Sequence, residues 1–178
     1  MLREFIVYAC PVGKLNEQLE EYLTTTRDKC GENAAHQYMP HCTLTGFFHD
    51  ELISLPIYIQ ALDTALKNTL PSRPVQPIVI VSIELKLDFH YLKLESIWIQ
   101  KLIAKFATIA HSPTRADRLR LKNNLHLSLA YKFPATQQQQ LAKIAKKIIN
   151  PEAEVSWELR FYERLPDNSW TCHQFWAL

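Results

Sequence analysis

Glycine is scarce, with three residues in 178. That excludes the glycine-rich loops that cradle phosphate on backbone N–H groups, so any phosphate chemistry must come from side chains. Cysteine is thin as well. Cys10, Cys30, Cys42 and Cys172 stand far apart, and no C-x-x-C occurs. Such spacing predicts reduced thiols and a cytoplasmic protein, not a disulfide framework. Metal-ligand spacings of the C-x₂-C or H-x₃-H kind are missing too. Thr171–His173, taken with His36 and Cys42, therefore does not read as a zinc site, and neither a metal nor another cofactor is expected. Long apolar runs are absent. In "MLREFIVYACPV" the run is only Phe5 to Cys10, too short for a secretory core or a bilayer span. It reads as a buried first strand, and no membrane association is expected.

Charge of one sign is also lacking. The formal net charge is +2, which does not mark a nucleic-acid coat protein. At 47% hydrophobic and 21% charged, the chain can bury a core without staples. No low-complexity linker divides it, so residues 1–178 are expected to form one domain.

Periodicity lays out the elements. Strands are expected at Phe5–Val12, Cys42–Phe48, Ile78–Leu85, Phe89–Leu94 and Leu125–Tyr131. Leu15, Leu19, Tyr22 and Leu23 mark one helix face. Pro56 opens a second helix, Ile97–Ala110 forms a third, and Thr136–Ile149 forms a fourth with Thr136 as N-cap. Val155–Leu165 and Trp170–Trp176 form a hairpin turned by "PDNS", and Trp157, Trp170 and Trp176 read as its core. The order strand, helix, histidine-bearing strand, helix, strand occurs twice, over approximate repeats 1–86 and 87–178. The fold expected is α+β: two pseudo-symmetric lobes, each a mainly antiparallel sheet flanked by helices, with a central cleft. The polar faces of the two histidine strands are expected to look at each other across it.

Those two strands carry the chemistry. "HCTL" begins at His41 and "HLSL" at His126. Strand alternation puts His41, Thr43 and Thr45 on one face, with Cys42 and Leu44 on the other. His126 and Ser128 likewise oppose Leu127 and Leu129. Each strand then presents an imidazole and a hydroxyl about 6–7 Å apart. Two imidazoles near neutral pH divide into a base that takes a proton and an acid that gives one. The hydroxyls can stabilise charge on non-bridging phosphate oxygens. Phosphodiester cleavage needs these functions together.

H-apolar-[S/T]-apolar, present twice, resembles the signature of the two-histidine (2H) phosphoesterase superfamily. "PHCTLTGFF" and "LHLSLAYKF" are similar above all to the phosphoesterase domain of TULA-type proteins and its free-standing relatives. The resemblance implies a bilobal α+β fold and metal-independent catalysis by His41 with Thr43 and His126 with Ser128. It also implies a nucleotide or short RNA as substrate, with hydrolysis of a 2′,3′-cyclic phosphate foremost. RNA 3′-end trimming, a 2′-5′ phosphodiesterase and a non-catalytic nucleotide-binding module are the alternatives. Many members place an arginine just after the second dyad, where Tyr131 and Lys132 stand here.

Further candidates for substrate binding surround the dyads. Arg115, Arg118, Arg120 and Lys122 make "SPTRADRLRLKNN" the most basic stretch. As a mobile loop it would clamp phosphate, with Arg118 and Arg120 the candidates, since arginine binds phosphate bidentately. Phe47 extends the first dyad's face, where core packing is the commoner fate of an aromatic and stacking on a base the functional one; Tyr38, Tyr131 and Lys132 flank the dyads. Lys143, Lys146 and Lys147 read as a solvated helix face. No motif for a protein partner is visible.

Overall fold

The structure, a computed structural model, describes residues 1–178. The elements in chain order are β1 (Leu2–Val12), α1 (Lys14–Cys30), β2 (Cys42–Thr43), β3 (Phe48–Glu51), α2 (Leu55–Thr69) and β4 (Val79–Leu85). They are followed by β5 (Phe89–Glu95), α3 (Ile97–Ile109), β6 (His126–Tyr131), α4 (Gln138–Ile148), β7 (Ser156–Arg164) and β8 (Trp170–Ala177). The class is α+β, as expected. All strands join one eight-stranded antiparallel sheet in the order β4-β5-β6-β2-β1-β7-β8, with β3 pairing β1 beyond β2.

The topology exchanges elements between the sequence halves. β4 pairs with β5 of the second half, and β7 of the second half pairs with β1. The helices follow suit: α1 packs on α4, and α2 on α3. β2 and β6 meet at the middle of the sheet, with β1 and β5 as their outer neighbours.

Central strand β1 is buried on both faces, so its side chains divide by alternation. Phe5, Val7 and Ala9 enter the main core with the helices; Ile6, Tyr8 and Cys10 enter a small cluster with Tyr162 on the other face. The helices thus cover one face and leave the other available for a site. No helix is long and apolar enough to cross a membrane. At the centre of the main core, the Phe5 ring lies 5.9 Å from Phe48, 6.2 Å from Tyr58 and 5.4 Å from Phe161.

Three local expectations are corrected. The strand expected over Cys42–Phe48 is broken after Thr43. The amides of Leu44 and Thr45 both donate to the Val7 carbonyl, at 3.0 and 3.4 Å, which makes a bulge. Thr45 consequently leaves the face of His41 and Thr43; it is fully buried, and its hydroxyl accepts from the Val7 amide at 3.1 Å. Thr136 does not cap α4. Residues Ala135–Gln137 form a 3₁₀ turn after extended Pro134, and the helix begins at Gln138. Trp170 and Trp176 are only partly buried, unlike Trp157.

A further turn, Ala34–Gln37, escaped periodicity because its signal is a cap. The Asn33 side chain accepts from the Ala35 amide, and His36 Nδ1 accepts from the Asn33 amide. It brings Tyr38 and Met39 beside the dyads. Replacing Phe5 with alanine should lower unfolding free energy by about 3–5 kcal/mol in urea denaturation, because the surrounding rings cannot close the cavity.

Candidate active site

One register pair sets the geometry. Cys42 of β2 lies opposite Leu127 of β6 in an antiparallel ladder. By antiparallel counting His41 then faces Ser128, and Thr43 faces His126, all four on the sheet face away from the helices. Directly opposed residues have Cβ atoms roughly 4.5–5.5 Å apart, and diagonal ones about 7–8 Å. The dyads therefore interleave: each imidazole has the other strand's hydroxyl beside it, and the imidazoles occupy opposite corners. The expectation of two faces opposed across a groove changes accordingly. The strands pair directly, so the dyads share one floor.

That floor opens into a cavity of about 520 Å³ lined by His41, Thr43, His126 and Ser128. The histidines are held alike. Nδ1 of His41 donates to the Met39 carbonyl at 2.7 Å, and Nδ1 of His126 donates to the Asn124 carbonyl at 3.1 Å. A carbonyl only accepts, so Nδ1 carries the proton and Nε2 is left for chemistry. The rings are packed differently. His41 lies against Tyr8, centroids 4.0 Å apart and 32° between planes, with Tyr38 at 5.5 Å. His126 meets Phe89 and Tyr91 edge-on, at 5.4 and 5.7 Å. Burial pushes His41 down to about 4; nearby His126 adds to the fall, while the Met39 carbonyl opposes it. His41 is thus neutral at physiological pH. Burial also raises the phenols of Tyr8 and Tyr131, keeping them protonated.

Of the sequence candidates, Tyr38, Phe47, Arg120 and Tyr131 line the cavity. Arg118 and Lys132 do not: both are exposed and outside the lining. Lys132 has φ of 54°, a turn conformation that takes its side chain out of the strand's alternation. Arg118 projects from the loop one residue past its anchor, Asp117. The basic stretch is pinned rather than loose. Asp117 accepts from the His49 amide at 2.9 Å and from His49 Nδ1 at 2.6 Å, which holds its carboxyl below the usual range. Thr114 donates to buried Asp50 at 2.6 Å. The chain then runs beside the bulge: the Gly46 amide donates to the Arg120 carbonyl at 2.7 Å, and the Lys122 amide to the Leu44 carbonyl at 3.0 Å.

Gly46 lies close under the Arg120 guanidinium. A Cβ would sit 3.1 Å from Arg120 Nε. Arg120 and Lys122 are the cationic side chains of the lining, which includes no Asp or Glu. Lys122 comes from the basic stretch already read as a phosphate clamp, whereas Phe89 and Tyr8 carry no signal for the site in the sequence. Tyr8 alternates with Val7 and Ala9, but its role depends on which face lacks helices. No group of three His, Cys, Asp or Glu side chains is placed to hold a metal ion. An anion is the ligand such a wall favours.

Interleaved H-x-[S/T] strands at the centre of an antiparallel α+β sheet are compatible with a two-histidine phosphoesterase fold. The chain is similar to one segment of larger proteins. It is 32% identical over 163 residues to ubiquitin-associated and SH3 domain-containing protein A of Mus musculus, covering 91% of this chain and 26% of that protein. It is 31% identical over 199 aligned positions to ecdysteroid-phosphate phosphatase of Drosophila melanogaster, covering 92% of this chain and 26% of that protein. The namesake enzyme of Bombyx mori is 27% identical over 172 residues. The chain thus spans about a quarter of the length of these curated relatives. No family model matches it.

The buried state of His41 has a thermodynamic consequence. An unfolded histidine titrates near 6.5, and His41 in the fold near 4. Between those values the unfolded chain binds more protons, so stability falls as pH drops from about 6.5 toward 4. Urea midpoints between pH 7 and 4.5 should fall less steeply for His41→Gln than for the unaltered protein.

Proposed function

We propose that the chain is a phosphodiesterase that hydrolyses 2′,3′-cyclic nucleotide phosphates, including those at RNA ends, without a metal ion. The observation that carries this reading is the interleaving of both dyads on one floor, under a wall with cations and no carboxylate. The phosphatase relatives, whose names denote phosphoester substrates, support the coarser part. A cytoplasmic setting agrees with four free cysteines.

Neutral His41 is the base. Its Nε2 takes a proton from water as the water oxygen bonds to phosphorus. Negative charge on the phosphorane beside it raises its basicity as the transition state forms, when the proton must move. His126, in its protonated form, is the acid: it gives a proton to the ribose oxygen as that P–O bond breaks. The products are the opened phosphomonoester and the enzyme with its proton exchanged between the histidines. Thr43 and Ser128 donate to the non-bridging oxygens, and Arg120 and Lys122 supply positive potential. Each hydroxyl stands beside the other strand's imidazole, so both ends of the phosphate are served.

A panel of 2′,3′-cyclic nucleotides, short RNAs with cyclic, 2′-5′ or 3′ ends, and simple phosphomonoesters tests this by product identification. Cyclic phosphates should be opened, and at an unchanged rate in EDTA. His41→Ala and His126→Ala should each lose about 10²–10⁴-fold in kcat. The acid limb of kcat/KM should fall near the His41 value of about 4 rather than at an ordinary histidine's. Turnover of phosphomonoesters alone, or full activity in both alanine variants, contradicts the reading.

A further inference from the structure

Trp157 is the most deeply buried of the chain's four tryptophans, at 2% exposed. Trp98 donates its indole N–H to the Thr69 carbonyl at 2.9 Å, and Trp170 donates to the Gln37 carbonyl at 3.4 Å. The Trp157 Nε1 has no hydrogen-bond partner. A buried indole N–H ordinarily finds an acceptor, and leaving it unmatched costs stability. The residue has little freedom to seek one. Its ring is packed in the main core, and its carbonyl accepts from the Leu178 amide at 2.9 Å.

Trp157 lines a cavity of about 310 Å³ that shares no residue with the dyad cavity. The walls come from two segments far apart in the chain. Residues 75–80 lead into β4, and residues 151–155 lead into β7. These are the connections by which the halves exchange those two strands. Ile78 is buried, and Ile80 and Val155 pack against the main core, so the inner wall is apolar. Val75 and Val79, 97% and 44% exposed, continue that character to the rim. The lining includes no Lys or Arg, and Glu152 is its one charged side chain.

Each feature narrows the ligand. The apolar wall gains by taking apolar surface out of water. A carboxylate with no cation beside it repels an anion, which sets this cavity apart from the one over the dyads. Indole nitrogen is a donor only, so it calls for an acceptor. The volume lies at the small end of the range for ligand pockets. A water molecule could accept from the indole but gains nothing from the isoleucine and valine wall.

We propose that this cavity is a second ligand site, separate from the dyads, for a compact, uncharged, mainly apolar molecule whose carbonyl or ether oxygen accepts a hydrogen bond from Trp157 Nε1.

Cyclohexanone, a neutral ring ketone, is the probe, titrated into ¹⁵N-labelled protein and followed by NMR. The backbone amide signals of Val79 and Ala153 and the indole signal of Trp157 should move along one saturation curve, with Kd of about 1 mM or below. The indole proton should move downfield, as a new hydrogen bond requires. Cyclohexanecarboxylate, of like size but anionic, should leave all three signals in place. In Trp157→Phe, which keeps a ring in the core but has no donor, the affinity read from Val79 and Ala153 should weaken about tenfold. Shifts that do not saturate, an indole signal that stays still while the amides move, equal binding of the carboxylate, or undiminished affinity in Trp157→Phe each overturn the site. Should Trp157→Phe not fold, the indole shift in the unaltered protein decides alone.

Discussion

The site depends on a single point of strand pairing, Cys42 against Leu127. β2 is two residues long, and this contact joins the two sides of the sheet. Because side chains alternate with period two, a slip of one residue would turn one dyad into the core and bring Cys42 or Leu127 to the surface. Burial guards against that slip. Cys42, Leu127 and Leu129 belong to the main core, so a one-residue slip exposes apolar surface and buries imidazoles. The same hydrophobic pattern that folds the sheet thus aligns two histidines far apart along the chain. The geometry of the dyads is a by-product of core packing.

The bulge at Leu44 and Thr45 is the second part of the arrangement. By ending β2 early, it leaves a backbone edge that the basic segment before β6 can occupy. The Arg120 side chain lies over Gly46 and donates from its guanidinium to the Phe47 carbonyl at 3.3 Å. Tyr131 and Lys132 follow the second dyad, and the cationic side chains of the cavity, Arg120 and Lys122, come from the loop that precedes that dyad. Anchoring by Asp117 on His49 and by Thr114 on Asp50 gives the wall a fixed position. Fixed charges lose little by reorganisation when an anion is bound beside them.

Much of this was legible in the amino acids. His41, Thr43, His126 and Ser128 could be found because strand alternation is local and both tetrapeptides obey it. The helices could be found because their apolar stripes are regular. The break after Thr43 could not, since Thr45 fits the alternation and leaves it only through its hydrogen bond to the Val7 amide, a partner far along the chain. Lys132 was misplaced for a related reason: its backbone turns to positive φ at the strand's end. Tyr8 and Phe89 depend on which sheet face the helices leave open, which only the strand order reveals. Long-range topology, not side-chain chemistry, separated the residues that could be named from those that could not.

The account's central claim is that His41 and His126 meet one phosphate together. Histidine ¹⁵N resonances followed by NMR while inorganic phosphate is added test it most directly. The Nε2 signals of His41 and His126 should move together along a single saturation curve, with His36, His49, His90, His111 and His173 unmoved. Movement of only one of the pair, or separate saturation curves for the two, would contradict a shared phosphate site.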